Sequence, residues 1–267
     1  MKFVVIPPPE PLMRDVECFR VTEHEEGLAV KVAPRALPGI AFQHHNGHSA
    51  LENIITPSHV THTPTLFLYG TVMTPSVMNY KAGSYTSIQV VFKPHALKSL
   101  FGMNASALAN GSVELSQDLN MQLIEAKSVS EQIERLSRFL LAHLKKEHTR
   151  DVLVEASLNL IHNSGGAVTV KALLEQLNIS ERQFERRFTQ TVGVSPQAYI
   201  RVRRFNEAIR LIKTRQHDKL TDIAHTLCYY DQSHFIRDVK TFSGMTPKAL
   251  LQKEGDSYHD QLGYSYV

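Results

Sequence analysis

The sequence predicts an α+β chain in two parts, a mainly β N-terminal domain with trailing helices and an all-α C-terminal domain. Three observations carry this. Up to about residue 92, β-branched and aromatic runs (54–56, 66–69, 88–92) alternate with Pro, Gly and Asn punctuation. Beyond it the apolar spacing changes to three and four residues. After Gly166 the chain repeats itself at an offset of 51 residues.

At 267 residues there is room for two ordinary domains, and 42% hydrophobic content is enough for real cores. No stretch reaches the ~20 apolar residues that span a bilayer, so no membrane partner is expected. The apolar start of the chain is interrupted by Pro7, Pro8 and Pro9 where a signal peptide would continue. Two cysteines, Cys18 and Cys228, far apart in sequence, exclude a disulfide scaffold; a cytoplasmic location is expected. The net charge of +3 is unevenly spread. Residues 167–254 carry 15 Lys/Arg against 9 Asp/Glu, whereas residues 1–166 carry 14 against 15. Such a basic segment is the electrostatic footprint of a polyanion-binding module.

In order along the chain, Pro94 opens a helix over 94–101 that Gly102 ends. Ser128 and Glu131 form a capping box for a helix over 128–146, with Val129, Ile133, Leu136, Leu140 and Leu144 on one face. Val154, Leu158 and Ile161 mark another helix over 151–162. Gly165–Gly166 then breaks the pattern and is taken as the boundary between domains at 1–164 and 167–254, leaving 255–267 as a tail.

The repeat sets Phe184-x3-Phe188-x4-Gly193-Val-Ser195-Pro196 against Phe235-x3-Val239-x4-Gly244-Met-Thr246-Pro247. Each copy reads as a short helix (170–177; 221–227), a tight turn, and a second helix (180–191; 231–242). Ser180 and Asp231 are suited to N-caps, as are Ser195 and Thr246 before Pro196 and Pro247. Asn178 fits a left-handed turn position. These are two helix-turn-helix units joined by a linker helix over 196–213. Their Phe faces point inward. The opposite faces offer Ser180, Arg182, Gln183, Glu185, Arg186 and Arg187 in the first copy. The second offers Gln232, Ser233, His234, Arg237 and Lys240. Such side chains reach base edges and phosphates from a helix in a major groove. The linker adds Arg201, Arg203 and Arg204.

The order, spacing and duplication over 167–253 resemble the DNA-binding domain of the AraC/XylS family of transcription regulators. Asp231-Gln-Ser-His-Phe-Ile-Arg-Asp and Gly244-Met-Thr-Pro-Lys-Ala-Leu-Leu lie especially close to its second motif. The resemblance implies a sequence-specific regulator whose recognition helices enter successive major-groove segments of promoter or operator DNA. Arg182, Glu185 and Arg186 would face bases from the first helix; Gln232, Ser233, His234 and Arg237 would do so from the second. It also implies an N-terminal domain that binds a small effector or mediates homodimerisation, and an RNA polymerase contact if the protein activates. Residues 66–102 resemble the sheet-to-helix passage of such sensor domains. One departure is visible. The family's second turn has Gly followed by an aromatic, whereas this chain has Cys228-Tyr229. A non-Gly residue in a left-handed turn costs on the order of 1 kcal/mol, so the second turn is either strained or different in path.

A different class of function, a metal-dependent cupin-type enzyme fused to a DNA-binding tail, is raised by His44, His45 and His48, with Glu52, His59 and His62 nearby. Their spacing does not place alternate strand residues on one barrel face, and Asn46-Gly47 reads as a hairpin turn. No catalytic motif, metal set or cofactor site is expected. A third reading, an architectural DNA protein without sequence preference, would show bending and an affinity that barely varies with sequence.

Overall fold

The computed structural model describes residues 2–25, 27, 29–144, 150–214, 219–252, 257–260 and 263–266. The expected helix end at Lys146 and the expected domain end at Glu254 lie outside the described residues.

The chain opens with β1 (Lys2–Ile6), a 3₁₀ turn at Glu10–Leu12 and β2 (Val16–His24). Then come β3 (Ala29–Val32), β4 (Gly39–Gln43), β5 (Leu51–Ile55), β6 (Val60–Thr61), β7 (Leu66–Tyr69), β8 (Ser76–Tyr80) and β9 (Tyr85–Phe92). Helix α1 (Ala96–Phe101), a 3₁₀ turn at Ala105–Leu108, β10 (Ser112–Glu114), α2 (Gln117–Glu125) and α3 (Val129–Leu144) follow. One antiparallel sheet runs β1-β2-β9-β4-β7-β10, and a second contains β3-β8-β5-β6. The central strands of the first sheet, β2, β9, β4 and β7, alternate two kinds of side chain and are covered on both faces. Phe19, Val21, Ile40, Phe42, Leu66, Leu68 and Val90 point to a core shared with Leu97, Leu100, Leu123, Leu136 and Leu140 of the helices. The intervening positions, such as Arg20, Thr22, Gln43, Tyr69 and Gln89, turn toward the second sheet and line a cavity.

The C-terminal half is α4 (Val152–Asn163), α5 (Val170–Leu177), α6 (Glu181–Val192), α7 (Pro196–Lys213), α8 (Leu220–Thr226), α9 (Gln232–Ser243) and α10 (Pro247–Gln252). Two strands, β11 (Ser257–Asp260) and β12 (Gly263–Tyr266), lie in the segment expected to be a tail, and β12 pairs with β3. Helix α2 was not legible from spacing. The capping box forms: Ser128 accepts from the Glu131 N–H, and the Glu131 carboxylate accepts from the Lys127 N–H. Asp231, Ser195 and Thr246 cap their helices as expected. Ser180 does not; it stands at the N-cap of α6 without a capping bond, and its hydroxyl donates to Gln183 Oε1 at 3.3 Å.

The 51-residue repeat extends further upstream than the turn-bearing motif. Val154, Leu158 and Ile161 of α4 correspond to Phe205, Ile209 and Ile212 of α7, and all six are buried in one core. The repeating unit is therefore three helices, α4-α5-α6 and then α7-α8-α9. The helix that sequence reading placed before the Gly165–Gly166 break packs with the helices after it, because those glycines, both at positive φ, reverse the chain instead of separating two bodies.

Each unit ties its last helix to the start of its first by an ion pair. In the first, Arg187 donates from Nε and Nη2 to Asp151 at 2.8 and 2.6 Å. Fifty-one residues on, Asp238 accepts from Nε and Nη2 of Arg201 at 2.9 and 2.6 Å. The pair is reversed in sign, with Arg187 and Asp238 at equivalent places and Arg201 one residue before the place equivalent to Asp151. Burial pushes the Asp151 carboxyl up, but hydrogen bonds from Arg187 and the Val154 N–H outweigh it and hold it below its ordinary value.

The two turns differ. Asn178 takes φ +48° in the first and Cys228 φ +53° in the second, but Asn178 is followed by one residue before its N-cap and Cys228 by two. The extra length buries Tyr229 and leaves Tyr230 92% exposed. The second turn is thus both left-handed at a non-Gly residue and different in path. Replacing Cys228 by Gly relieves the left-handed strain and is expected to raise stability by up to about 1 kcal/mol, read as a higher thermal midpoint; a lower midpoint would refute the strain. Arg201→Ala strands the Asp238 carboxylate, which is 1% exposed. It is expected to cost about 1–3 kcal/mol in denaturant unfolding, and an unchanged midpoint would remove the pair from the account of stability.

Candidate nucleic-acid interface

The amphipathic sequence of α6 buries Phe184, Phe188 and Val192 and leaves Arg182, Gln183, Glu185 and Arg186 exposed, with Ser180 exposed at its start. In α9, Phe235, Val239 and Phe242 are buried, while Gln232, Ser233, Arg237 and Lys240 are exposed. Arg186 and Arg237 fall at equivalent places of the repeat. Among the described residues, no ion pair engages Arg182, Arg186, Arg237 or Lys240. Two helices therefore present a mixed face of guanidinium, amide and hydroxyl donors at one register, 51 residues apart. Helix α7, 18 residues and so about 27 Å long, sets the second unit relative to the first.

The remaining cations of the sequence-based set are placed differently. Arg187 and Arg201 are taken up by Asp151 and Asp238. Arg204 donates from Nε to the Gly166 carbonyl at 2.9 Å, with its guanidinium 5.3 Å from the Tyr229 ring centre. Arg203 Nη2 lies 3.1 Å from His162 Nδ1. His234 is half-buried, edge-on to Tyr229 and 3.8 Å from Asp238. The four arginines tie segments of the helical half to one another, and His234 packs against its own helix and the turn before it. Sequence reasoning passed over Tyr230, whose ring is exposed beside the start of α9; the Cys-Tyr-Tyr run was its only signal.

In the N-terminal half the histidine group forms local turns. Asn46 and Gly47, at φ +52° and +80°, make the expected hairpin, and His45 and His48 exchange backbone hydrogen bonds at 2.8 and 3.1 Å. His62 Nδ1 lies 2.8 Å from the Glu52 carbonyl, and His59 Nδ1 lies 2.8 Å from the Ser58 hydroxyl. Among the described residues no three His, Cys, Asp or Glu side chains converge as a metal site. Nor, among them, is any helix long and apolar enough to cross a membrane.

The cavity between the two sheets has a volume of about 210 Å³. Its lining continues into the segments that touch the helical half. Ala33 and Ala36 are buried in the helical core, and Asn206 of α7 donates to the Pro34 carbonyl at 3.1 Å. The Thr71 hydroxyl donates to the Val192 carbonyl at the end of α6, at 2.5 Å. Gly193, at φ +95°, sits where a Cβ would come within 2.9 Å of the Ala105 carbonyl, so the close approach of the two halves here requires glycine.

A helix-turn-helix domain family matches residues 173–253, and a domain family of unknown function matches residues 4–114. The HTH-type transcriptional activator RhaS of Pectobacterium atrosepticum is 30% identical over 98 residues, which are 36% of this chain and 35% of that protein. The chain thus matches about a third of that relative's length. Among solved structures, ToxT from Vibrio cholerae is 14% identical, with 89% of this chain and 98% of that one covered and a TM-score of 0.49. The C-terminal domain of AraT, a response regulator from Geobacillus stearothermophilus, is 22% identical, with 42% and 93% covered and a TM-score of 0.37. With its duplicated three-helix unit and two exposed faces at one register, the C-terminal half of the chain thus carries a helix-turn-helix domain.

Proposed function

We propose that this protein is a sequence-specific transcription regulator that binds promoter DNA with α6 and α9 in successive major-groove segments, under the control of its N-terminal half. The observation that carries the reading is the duplicated exposed face: Arg182, Gln183 and Arg186 on α6, and Gln232, Ser233 and Arg237 on α9, at one register of an internally repeated unit. Arginine donates to guanine O6 and N7, glutamine donates to adenine N7 while accepting from its N6 amino group, and serine can meet either. Glu185 fits a cytosine amino group, Ser180 and Lys240 the phosphates beside each helix, and Tyr230 the sugar-phosphate edge. Arg187, Arg201 and Arg204 serve in this reading to set the tilt of the recognition helices, and Arg203 remains the linker cation nearest a backbone-contacting role.

Control enters through the contacts between the halves. The N-terminal unit, taken to end before Asp151, touches the end of α6 and the middle of α7, so a change in its cavity is felt where the first unit meets the linker. The cavity is read as an effector site. An activating regulator of this kind would also meet RNA polymerase, and pairing of two copies through the N-terminal half would double the DNA footprint.

Selection from random-sequence DNA at physiological salt is expected to return an enriched motif with two base clusters about one helical turn apart. Recovery of no motif would abandon the sequence-specific reading in favour of an architectural protein. Against the selected site, Arg186→Ala and Arg237→Ala are each expected to cost about 1–3 kcal/mol and to relax base preference within one cluster only. Equal losses on selected and random DNA would reassign both side chains to phosphate.

A further inference from the structure

On the exposed side of α9 one residue does not share the polar character of the rest. Ile236 is 36% exposed, and among the described residues it is the one large apolar side chain exposed on either α6 or α9. Gln232 lies one turn before it and Lys240 one turn after, with Ser233 three residues back on the same side. Its exposed neighbours on the helix surface are therefore all polar. A lone aliphatic group among donors is not the contiguous apolar area that a protein partner covers.

Packing within the unit does not call for isoleucine here. The residue at the equivalent place of the first unit, 51 positions earlier, is Glu185, exposed at the same point of α6. Phe235 and Val239 of α9 are buried in the helical core, as are their counterparts Phe184 and Phe188 of α6. The repeat serves as an internal control, because the same three-helix packing accepts a carboxylate at this register. Isoleucine is also the poorer helix former of the two, since its β-branch loses rotamer freedom against the preceding turn. An exposed position that departs from both local preference and its own repeat is where a binding role is expected.

The chemistry of the major groove names what such a side chain meets. Thymine alone presents an apolar group there, its C5 methyl; the other bases present ring and carbonyl acceptors and amino donors. An aliphatic branch laid on an amino or carbonyl group strips its water and returns no hydrogen bond, so the same side chain that favours thymine disfavours the other bases. The β-branch holds essentially one rotamer in a helix, which presents the methyl groups of Ile236 at a fixed place. Glu185 is the opposite case, a group that only accepts and so suits the cytosine amino group.

We infer that Ile236 is a specificity-determining residue that reads a thymine methyl in the base cluster bound by α9. The inference rests on the reading of α6 and α9 as major-groove helices and names the base taken at one register of the second. Its consequence is that the two base clusters differ in sequence although the two units repeat, with thymine required where the corresponding step under α6 takes cytosine.

The test begins from the site returned by random-sequence selection, in which the cluster relaxed by Arg237→Ala marks the segment under α9. Each thymine of that cluster is replaced in turn by uracil, which keeps the pairing with adenine and removes only the C5 methyl. Affinity is then measured for the unaltered chain, Ile236→Ala and Ile236→Gln. One thymine is expected to cost the unaltered chain roughly three- to fivefold in affinity when its methyl is removed, the size of one buried methyl group. Both variants are expected to lose the distinction between thymine and uracil at that step while keeping their affinity for random DNA. Alanine and glutamine are better helix formers than isoleucine, and thermal melts check that the variants fold; either folded variant decides the matter alone. A methyl effect that a folded variant retains in full would overturn the assignment, and so would a cluster in which no thymine is sensitive. Both of those results leave the two-helix reading standing, because the motif and its response to Arg237→Ala come from other side chains. Selection that returns no motif would overturn that reading and this inference together.

Discussion

The orientation of α6 and α9 depends on an ion pair that joins each of them to the first helix of its own unit. A carboxylate as deeply buried as Asp238, 1% exposed, is tolerable only when a cation compensates it. That requirement fixes where Arg201 of α7 must sit against α9. Asp151, 17% exposed at the N-cap of α4, and Arg187 make the corresponding tie to α6. The reversal of sign adds specificity. In an internally repeated domain, α4 could pack on α9 and α7 on α6 in place of their proper partners, since Val154, Leu158 and Ile161 occupy the positions of Phe205, Ile209 and Ile212. Such an exchange would put Asp151 against Asp238 and Arg201 against Arg187. Like charges brought together away from water cost several kcal/mol, so the wrong assembly is disfavoured where hydrophobic packing alone would tolerate it.

The same ion pairs decide which cations are available to a polyanion. The basic balance of residues 167–254 suggests a uniformly cationic module, but Arg187, Arg201 and Arg204 are spent inside the protein, on Asp151, Asp238 and the Gly166 carbonyl. What remains at the surface of the recognition helices is a smaller group, centred on Arg182, Arg186, Arg237 and Lys240. A face with few cations among glutamine, serine and glutamate gains less from phosphate alone and more from base-edge contacts, which favours sequence reading over nonspecific adhesion.

The helical half was legible in the sequence because its signals are local. Caps, the spacing of Phe184 and Phe188, the left-handed Asn178 and the Pro196 and Pro247 starts all act within a few residues, and the offset of 51 made each copy a check on the other. What escaped was set by distance along the chain. Asp151 and Arg187 are 36 residues apart and Arg201 and Asp238 are 37, so on a helical wheel each arginine simply looked solvated. Helix α4 matched the repeat through its apolar positions, but the Gly165–Gly166 pair read as a boundary where it is a chain reversal. In the β half, the runs at 66–69 and 88–92 were visible, whereas strand order and the second sheet depend on pairings between distant segments. The cavity left one readable trace: β2 alternates Phe19, Val21 and Glu23 with Arg20, Thr22 and His24, a polar series that turns out to face inward.

The second turn shows how such a departure is sustained. Its left-handed Cys228 costs on the order of 1 kcal/mol relative to glycine. The additional residue that comes with it drives Tyr229 into the space between α7 and α9, where the ring meets Phe235 at 5.3 Å, His234 at 5.4 Å and the Arg204 guanidinium at 5.3 Å. Burial of an aromatic ring contributes about 2 kcal/mol or more, with a further contribution from the edge contacts and the cation. The packing gain therefore exceeds the backbone strain, and the longer turn is stable without glycine. It also moves Tyr230 to the outside at the entry of α9, so the irregular turn that distinguishes the second unit adds an exposed aromatic beside that helix while the first unit, with its shorter turn, has none.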